Sequence, residues 1–412
     1  MPERLPGNVA IGHARYSTQG ASVLRNVQPL YCDVRGGGIA LAHNGNLTNA
    51  RVLREELVNQ GAIFQSTSDS EVVLHLAAQS KKTKLTNRVL QALKQVQGAF
   101  AFVALVNDRL IAARDPFGIR PLVMGKLGDA YIFASETCAL EMVGATFERE
   151  IEPGEAVVVN EDGIRSERFA PEHKAKVCAF EYIYFARPDS VIGGRSVYEA
   201  RKEMGRQLAL ESPAEVDVVI PVPDSGVPAA IGYSEASGVP FELGIIRSHF
   251  VGRTFIQPTQ DRRDLSVRRK HSANAAAVRG KRVLLIDDSI VRGTTSLKIV
   301  RMMREAGAKE VHFRSACPPI KFPDFYGIDM AGQKELIAAC MDLSEMTDKL
   351  EADSLGFLTV DGLYQAVIGE PRNAADPQLA DHYFTGEYPT LLVDHDRDLS
   401  AKEFQLSLLV DA

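Results

Sequence analysis

The chain has 412 residues, of which 45% are apolar and 24% charged, an ordinary globular composition that is enough for two domains. Its formal net charge of −6 gives no general case for binding nucleic acid or an anionic membrane. No apolar run is long enough to span a bilayer, and the first residues lack the features of a signal peptide. Five scattered cysteines without a Cys-x-x-Cys pair argue against a disulfide framework or a zinc site, so we expect a cytoplasmic enzyme.

The first part of the chain is predicted to form a β-rich layer with two helices. One helix is expected from about Asn49 to Gln60, and another opens near Ser68, which has capping-box spacing to Glu71. The predicted strands are those at 9–18, 39–43 (closed by an Asn-Gly turn), 98–105, 110–115 and 130–135.

Five residues at the ends of these elements are suited to a small polar ligand: Arg15, Thr18, Asn44, Gly45 and Asp69. Taken singly they have structural explanations, because an Asn-Gly pair most often makes a hairpin turn and an acid often starts a helix. Taken together they belong to segments that resemble, in order, the glutamine amidotransferase domain of the N-terminal-nucleophile class. Those segments are residues 12–18, 43–47, 66–71, 114–122 and 134–137.

This resemblance implies a role for each candidate. Arg15 would pair with the α-carboxylate of glutamine, Asp69 with its α-ammonium, and Thr18 would also bind glutamine. The Asn44 side chain and the Gly45 N–H would form an oxyanion hole. A planar guanidinium suits a carboxylate, and one well-placed donor to a tetrahedral oxyanion contributes roughly 3–4 kcal/mol to catalysis.

The nucleophile of that class is missing at the expected place. Its members use an amino-terminal cysteine whose free α-amine is the base, whereas residues 1 and 2 here are Met1 and Pro2. Cys32 has no free amine and is expected to be a small buried hydrophobe. Relative to the family the chain begins a few dozen residues late. We therefore expect a fragment, a misassigned start or an inactive glutaminase half, with an open sheet edge where strands are lost.

The middle of the chain carries a candidate phosphate site. Residues 161–173 are polar and are expected to be a linker. Residues 180–190 resemble the domain junction of the glutamine PRPP amidotransferase (amidophosphoribosyltransferase) family. PRPP stands for 5-phosphoribosyl-1-pyrophosphate. A buried strand at 216–222 runs into a Pro/Gly-rich loop. The resemblance places the pyrophosphate of PRPP at three residues of that loop, Asp224, Ser225 and Gly226. Helices are predicted at 197–210 and 229–236, and a strand near 243–247.

Residues 247–282 concentrate ten cations against Asp261 and Asp264 in an otherwise acidic chain. Such a window is expected to face a polyanion, and PRPP carries a monophosphate and a pyrophosphate. The segment resembles the loop with which the family closes over PRPP and excludes water from an oxocarbenium-like sugar. Arg253 and Lys270 are the candidates for pyrophosphate contacts. RNA binding is the alternative, but no aromatic platform is interleaved with the charges.

Residues 283–296 are the most specific stretch of the sequence. Four β-favouring apolar residues, typical of a strand buried on both faces, run into Asp287 and Asp288 and then into the start of a helix. The backbone N–H groups of a helix start favour an anion. The stretch resembles the PRPP site of type I phosphoribosyltransferases, in which the two acids contact the ribose 2- and 3-hydroxyls. The loop residues would hold the 5-phosphate: Ser289, Arg292, Gly293, Thr294, Thr295 and Ser296.

The same resemblance indicates which cofactors to expect. Mg²⁺ would be held mainly by substrate oxygens and water, with Ser225, Asp287 and Asp288 as its protein partners. Some members carry an iron–sulfur cluster on four cysteines, but in this chain only Cys178 matches, and Asp324 stands where such members have another cysteine. One thiolate cannot hold a cluster, so no iron–sulfur cluster is expected. The remaining thiols are expected to be buried, as at Cys317 and Cys340.

We therefore predict an α+β N-terminal-nucleophile amidotransferase domain at 1–165, incomplete at its N-terminus. An α/β type I phosphoribosyltransferase domain with a parallel sheet follows at 166–360, and a C-terminal extension at 361–412. The resemblance implies an amidophosphoribosyltransferase of de novo purine biosynthesis, which forms 5-phosphoribosylamine from PRPP with ammonia from glutamine. Without the nucleophilic cysteine, this chain is expected to depend on ammonia alone.

The resemblance also implies a homo-oligomer inhibited by purine nucleotides, with no nucleic-acid or membrane partner. One alternative is a non-catalytic regulator that senses PRPP or purine nucleotides, although a sensor need not keep both acids and the cationic loop. Another is a glutamine:sugar-phosphate aminotransferase, which would need tandem sugar-isomerase domains after residue 170 in place of the 283–296 motif.

Overall fold

The computed structural model describes residues 7–14, 23–247, 271–328, 330 and 332–396. The first region of these holds a six-stranded antiparallel sheet, in the order β1-β2-β3-β4-β8-β9, and a three-stranded antiparallel sheet, in the order β6-β5-β7. The strands are β1 (Leu30–Val34), β2 (Gly37–Leu47), β3 (Gly98–Val106), β4 (Arg109–Arg114), β5 (Val123–Leu127), β6 (Ala130–Ala134), β7 (Thr146–Glu150), β8 (Glu155–Asn160) and β9 (Gly163–Arg168). Helices lie at Ala50–Asn59, Glu71–Gln79, Leu85–Leu93 and Thr137–Met142, with a 3₁₀ turn at Leu24–Asn26.

Alternation along β3 separates the two layers of this region. Phe100 and Phe102 are buried with the helices on one face of the six-stranded sheet. On the other face Ala101 packs with Met124 of the three-stranded sheet and with Ile151, which follows β7. The period of two is that of a strand covered on both sides. The predicted β-rich layer is therefore confirmed, although the described residues of this region form four α-helices and not the two predicted.

Three local predictions for this region are wrong. Of the strand predicted at 9–18, residues 9–14 form no strand and residues 15–18 lie outside the described residues. The expected linker at 161–173 contains β9, which pairs with β8 throughout its length. The predicted capping box is absent because the helix begins at Glu71 after Ser70. The Glu71 carboxylate instead accepts hydrogen bonds from the N–H groups of Gln65 and Ser66.

The second region is built on a four-stranded parallel sheet in the order β13-β16-β17-β18. Its strands are β13 (Val218–Pro221), β16 (Arg282–Asp287), β17 (Glu310–Ser315) and β18 (Ser354–Phe357), and a hairpin of β14 (Ile245–Arg247) and β15 (His271–Ala273) lies beside them. The short strands are β10 (Val177–Cys178), β11 (Val191–Ile192), β12 (Arg195–Ser196) and β19 (Leu379–Ala380). Helices lie at Val197–Glu211, Val227–Ser237, Ala275–Val278, Thr294–Glu305, Ile337–Cys340, Leu343–Leu350, Val360–Val367, His382–Thr385 and Val393–Asp396, with a π-helix at Glu181–Phe185 and a 3₁₀ turn at Gln333–Glu335.

Strand β16 is buried on both faces, as predicted. Leu284 and Ile286 pack into the core that includes the helix Val197–Glu211, whereas Val283 and Leu285 pack into the core that includes the helix Thr294–Glu305. A parallel sheet with helices on both faces places its loops, and hence its ligand crevice, at the carboxyl ends of the strands. Asp287 is the last residue of β16 and therefore lies at that edge.

Residues 391–394 contact the first region. Asp394 accepts hydrogen bonds from the N–H groups of Arg51 (2.8 Å) and Val52 (3.1 Å), at the start of the helix Ala50–Asn59. Thr48 donates to the Leu391 carbonyl at 2.9 Å. The domain division at residues 165 and 360 stays a prediction. Among the described helices, none has the length and apolar character that crossing a membrane requires.

Candidate functional site

Two loops meet at the carboxyl edge of the parallel sheet. Strands β13 and β16 pair in register from Val218↔Val283 to Pro221↔Ile286, so the loops that follow them are neighbours. Gly226 makes this approach possible, because a Cβ there would lie 2.4 Å from the Ile286 carbonyl oxygen. Only glycine fits without a shift of the loop. The sequence places Ser225 next to this glycine, and the structure brings Ser225 to the Asp288 carboxylate.

Asp287 and Asp288 form a buried acid pair, each 8% exposed. Burial raises the pKa of both carboxyls, and the charge of Asp288 raises that of Asp287 further. Hydrogen bonds from Ser225 and Ser289 and the charge of Arg201 lower the pKa of Asp288, and the Ser289 hydroxyl lies 2.5 Å from it. The two acids are therefore unequal: Asp288 is the better anion, and Asp287 takes up a proton first.

The candidate phosphate cradle follows directly. Gly293 adopts a left-handed conformation (φ 75°), and a Cβ there would lie 2.8 Å from the Ile337 side chain. The helix then runs from Thr294 to Glu305 with Ser296 buried and Thr295 exposed. The first N–H groups of a helix have no partner within it, and together with the helix dipole they favour an anion. The backbone geometry at Gly293 thus suits the predicted 5-phosphate site.

Two predicted ligand contacts are occupied by ion pairs. Arg292 pairs with Glu335 at 3.3 Å, and both side chains are more than half exposed. Asp224 pairs with Arg247, the last residue of β14. Exposed ion pairs contribute about 0–1 kcal/mol, so either pair can open when an anion arrives. Sequence reasoning counted Arg247 only as one of many cations, because its partner lies in a different loop.

Four predicted site residues cannot be placed. Arg15, Thr18, Arg253 and Lys270 lie outside the described residues. Arg247 and His271, the nearest described residues on either side of Arg253 and Lys270, pair with each other in β14 and β15.

A second cluster lies on β2 in the first region. Asn44 and Gly45 do not form the predicted turn, because β2 continues to Leu47 and pairs with β3. Gly45 has φ 140°, and a Cβ there would lie 2.1 Å from the Ala99 carbonyl oxygen. The Asn44 amide lies 3.5 Å from the Ser135 hydroxyl, at the limit of a hydrogen bond. Long-range pairing with β3 therefore overrides the turn preference of an Asn-Gly pair.

Asp69 is buried behind this strand. Its carboxylate accepts hydrogen bonds from the N–H groups of Leu47 and Ser70, both at 2.9 Å, and lies 3.6 Å from His43 Nδ1. Burial lowers the pKa of His43, which favours the neutral ring. The acid thus has a structural task in addition to the predicted contact with an ammonium group. His43 carried no signal in the sequence that separated it from an ordinary strand residue.

Buried contacts join the first region to the second close to Gly45. The Arg120 guanidinium donates to the Tyr326 carbonyl at 3.0 Å and 3.1 Å and to Glu181 at 2.9 Å. The backbone of Gly327 lies over Gly45, because a Cβ on Gly327 would be 2.7 Å from the Gly45 carbonyl carbon. Sequence reasoning could not find these contacts, since about 200 residues or more separate several of the partners.

The five cysteines are all unpaired and lie in different environments. Burial raises the pKa of Cys32, Cys138, Cys178 and Cys317, that of Cys178 to about 12. Cys32 is only half-buried, since β1 is an edge strand, and it lines a groove of about 330 Å³. Cys340 is exposed, contrary to prediction, because it ends a short surface helix.

The positions considered for an iron–sulfur cluster come together in a hydrogen-bonded network. The Cys178 thiol lies 3.0 Å from the Tyr383 hydroxyl, and Asp324 pairs with His382 at 2.8 Å. Among the residues described, no group of three or more His, Cys, Asp or Glu side chains is arranged to hold a metal ion. The carboxylates of Asp287 and Asp288 fit Mg²⁺ only as partial ligands, with substrate oxygens and water completing its shell.

Comparisons with known proteins identify both types of domain. A glutamine amidotransferase domain family matches residues 13–142, and a phosphoribosyl transferase domain family matches residues 196–319. The amidophosphoribosyltransferase of Rhizobium etli is 57% identical over 397 residues, 95% of this chain and 80% of that protein. That of Bacillus subtilis is 50% identical over 388 residues, 94% of this chain and 81% of that protein. The solved glutamine PRPP amidotransferase of B. subtilis, complexed with ADP and GMP, has a TM-score of 0.86 at 48% identity. The match covers 93% of this chain and 85% of the B. subtilis chain.

Proposed function

This chain belongs to the amidophosphoribosyltransferase family, and we propose that it forms 5-phosphoribosylamine from PRPP at the carboxyl edge of the parallel sheet. The observation that carries the proposal is the meeting of a buried acid pair, Asp287 and Asp288, with the N-terminus of the helix that starts at Thr294. One edge of one sheet thus offers carboxylates for ribose hydroxyls and N–H groups for a phosphate.

In the proposed reaction, the acid pair orients the ribose through its 2- and 3-hydroxyls while the loop from Ser289 to Ser296 holds the 5-phosphate. The lone pair of ammonia forms the C1–N bond, and the C1–O bond to pyrophosphate breaks with its electron pair on the leaving oxygen. The new ammonium loses a proton to solvent. Neighbouring carboxylates also favour the positive charge that develops on the sugar. Bound Mg²⁺ would neutralise charge on the pyrophosphate, with Ser225, Asp287 and Asp288 as its protein partners.

We propose that ammonia itself is the nitrogen source for this chain. An active thiol needs a lowered pKa and access to its substrate. The four cysteines with a shifted pKa all have it raised by burial, so their thiols stay protonated near neutral pH. Asn44, Gly45 and Asp69 would still bind glutamine, with Arg15 and Thr18 as further contacts, but none of these four thiols is activated to cleave it.

Regulation and assembly are further parts of the proposal. Purine nucleotides would act as feedback inhibitors, which is supported by the ADP and GMP named with the B. subtilis structure, and the chain would act as a homo-oligomer. Five unpaired cysteines favour the reducing cytoplasm as its location.

The test is pyrophosphate release from PRPP and Mg²⁺ by purified protein, with glutamine in one reaction and ammonium at high pH in the other. We expect turnover with ammonium only, and its loss in Asp287→Asn. Turnover with glutamine would contradict ammonia dependence. No turnover in either reaction from protein that is folded by circular dichroism would favour a PRPP-sensing regulator.

A further inference from the structure

The helix Val197–Glu211 carries an arginine in its buried face. Arg201 is 4% exposed and lies among the apolar residues Val197, Ala200, Met204 and Leu208. Placing a guanidinium in such a position costs free energy unless every side of it finds a partner. The contacts of Arg201 therefore indicate what the charge is used for.

One side of the guanidinium binds backbone. Nε donates to the Tyr182 carbonyl at 2.7 Å and Nη2 to the Ala186 carbonyl at 2.8 Å. These carbonyls belong to the π-helix Glu181–Phe185 and the residue that follows it, at the junction between the two regions. Burial lowers the pKa of Arg201, but arginine is so basic that it remains a cation.

Another side of the guanidinium faces the acid pair. Arg201, Ser225 and Asp288 line one small cavity, whose other walls are the apolar residues Ile183, Met204, Ala229 and Ala316. Asp288 is the charge with the largest effect on Arg201. Ser289 and Ser225 hold the Asp288 carboxylate from its own loop and the neighbouring loop.

We propose that Arg201 is a positioning residue for PRPP binding: its charge attracts the Asp288 carboxylate across the cavity that both residues line, and its hydrogen bonds anchor it to the junction segment. The inference rests on the proposed role of Asp288 in binding the ribose. Arg201 is 4% exposed and its hydrogen bonds go to backbone carbonyls, so its proposed effect on the substrate runs through Asp288. Removing its charge should weaken PRPP binding only as long as Asp288 is present to be positioned.

A double-mutant cycle on the dissociation constant of PRPP with Mg²⁺, measured by calorimetry, tests this directly. We expect Arg201→Gln to weaken binding about tenfold in the parent chain and less than about threefold in an Asp288→Asn background. Arg314 gives a matched control, because it is 5% exposed and also donates to backbone carbonyls, those of Ser212 and Phe313. Arg314→Gln should have the same effect in both backgrounds.

Equal losses for Arg201→Gln in both backgrounds would overturn the inference and leave Arg201 a purely structural residue. An unchanged dissociation constant in Asp288→Asn alone would instead overturn the proposed ribose contact. If Arg201→Gln does not fold, Arg201→Met replaces it in the same cycle. Arg201→Lys keeps the charge and should stay within about threefold of the parent; a folded Lys variant as weak as Arg201→Gln would also contradict the proposal.

Discussion

Gly226 offers a sharp test of how the two loops at the sheet edge must fit. A Cβ at this position would lie 2.4 Å from the Ile286 carbonyl oxygen and 2.9 Å from that of Val222, whereas ordinary contacts begin at 3.4 Å. Gly226→Ala therefore requires the loop to move by about 1 Å away from Asp287. A misplacement of about 1 Å can lower a catalysed rate by about 100-fold, or roughly 2.7 kcal/mol.

The assay is kcat/KM for PRPP in ammonium-dependent pyrophosphate release, together with thermal unfolding. We expect kcat/KM to fall by about two orders of magnitude, with a stability loss of about 1–3 kcal/mol from overpacking. Gly332→Ala is the control, since a Cβ there meets nothing within 4 Å. A Gly226→Ala enzyme with kcat/KM within twofold of the parent would refute the claim that Ser225 and Asp288 must be held this close.

Three further predictions concern charged groups. Hydrogen bonds hold the pKa of Glu71 at about 2 despite its burial. The ionised carboxylate therefore stabilises the fold by about 3 kcal/mol above pH 4.5, and this stabilisation is lost as the pH falls towards 2. The difference in unfolding free energy between the parent and Glu71→Gln should shrink over that range, and a constant difference would contradict this. Arg120→Met leaves Glu181 buried without its partner and should lower the free energy of unfolding, measured in urea, by about 3–5 kcal/mol. A loss below about 1 kcal/mol would show that the ion pair is not needed for stability. Arg292→Ala should raise KM for PRPP several-fold, with an unfolding free energy within about 1 kcal/mol of the parent. Glu335→Ala, which removes the partner of the ion pair, should not raise KM. Equal KM changes in both variants would argue against a phosphate contact by Arg292.

The sequence predicted best the elements whose signal is local. Strand β16 was recognisable because its apolar run is continuous, as a strand buried on both faces requires. The helix after Gly293 was recognisable from its small-residue start and apolar spacing. Both features belong to residues that lie next to one another in the chain, and the candidate phosphate site was accordingly placed in advance.

Features set by distant partners could not be predicted. Asn44 and Gly45 have the local signature of a turn, yet pairing with Ala101 and Phe100 keeps them in a strand. Glu71 has capping-box spacing, but its carboxylate accepts hydrogen bonds from N–H groups of the preceding loop. Arg201 looks like any helix-surface arginine until the neighbouring loops are assembled around it.

The most direct test of the central claim is equilibrium binding of PRPP in the presence of Mg²⁺ to the parent chain and to Asp287→Asn. The account predicts specific binding by the parent and a dissociation constant at least tenfold higher in the variant, because an amide cannot replace a buried carboxylate towards ribose hydroxyls. Equal affinity in the two proteins, both folded by circular dichroism, would contradict the placement of the ribose at the acid pair.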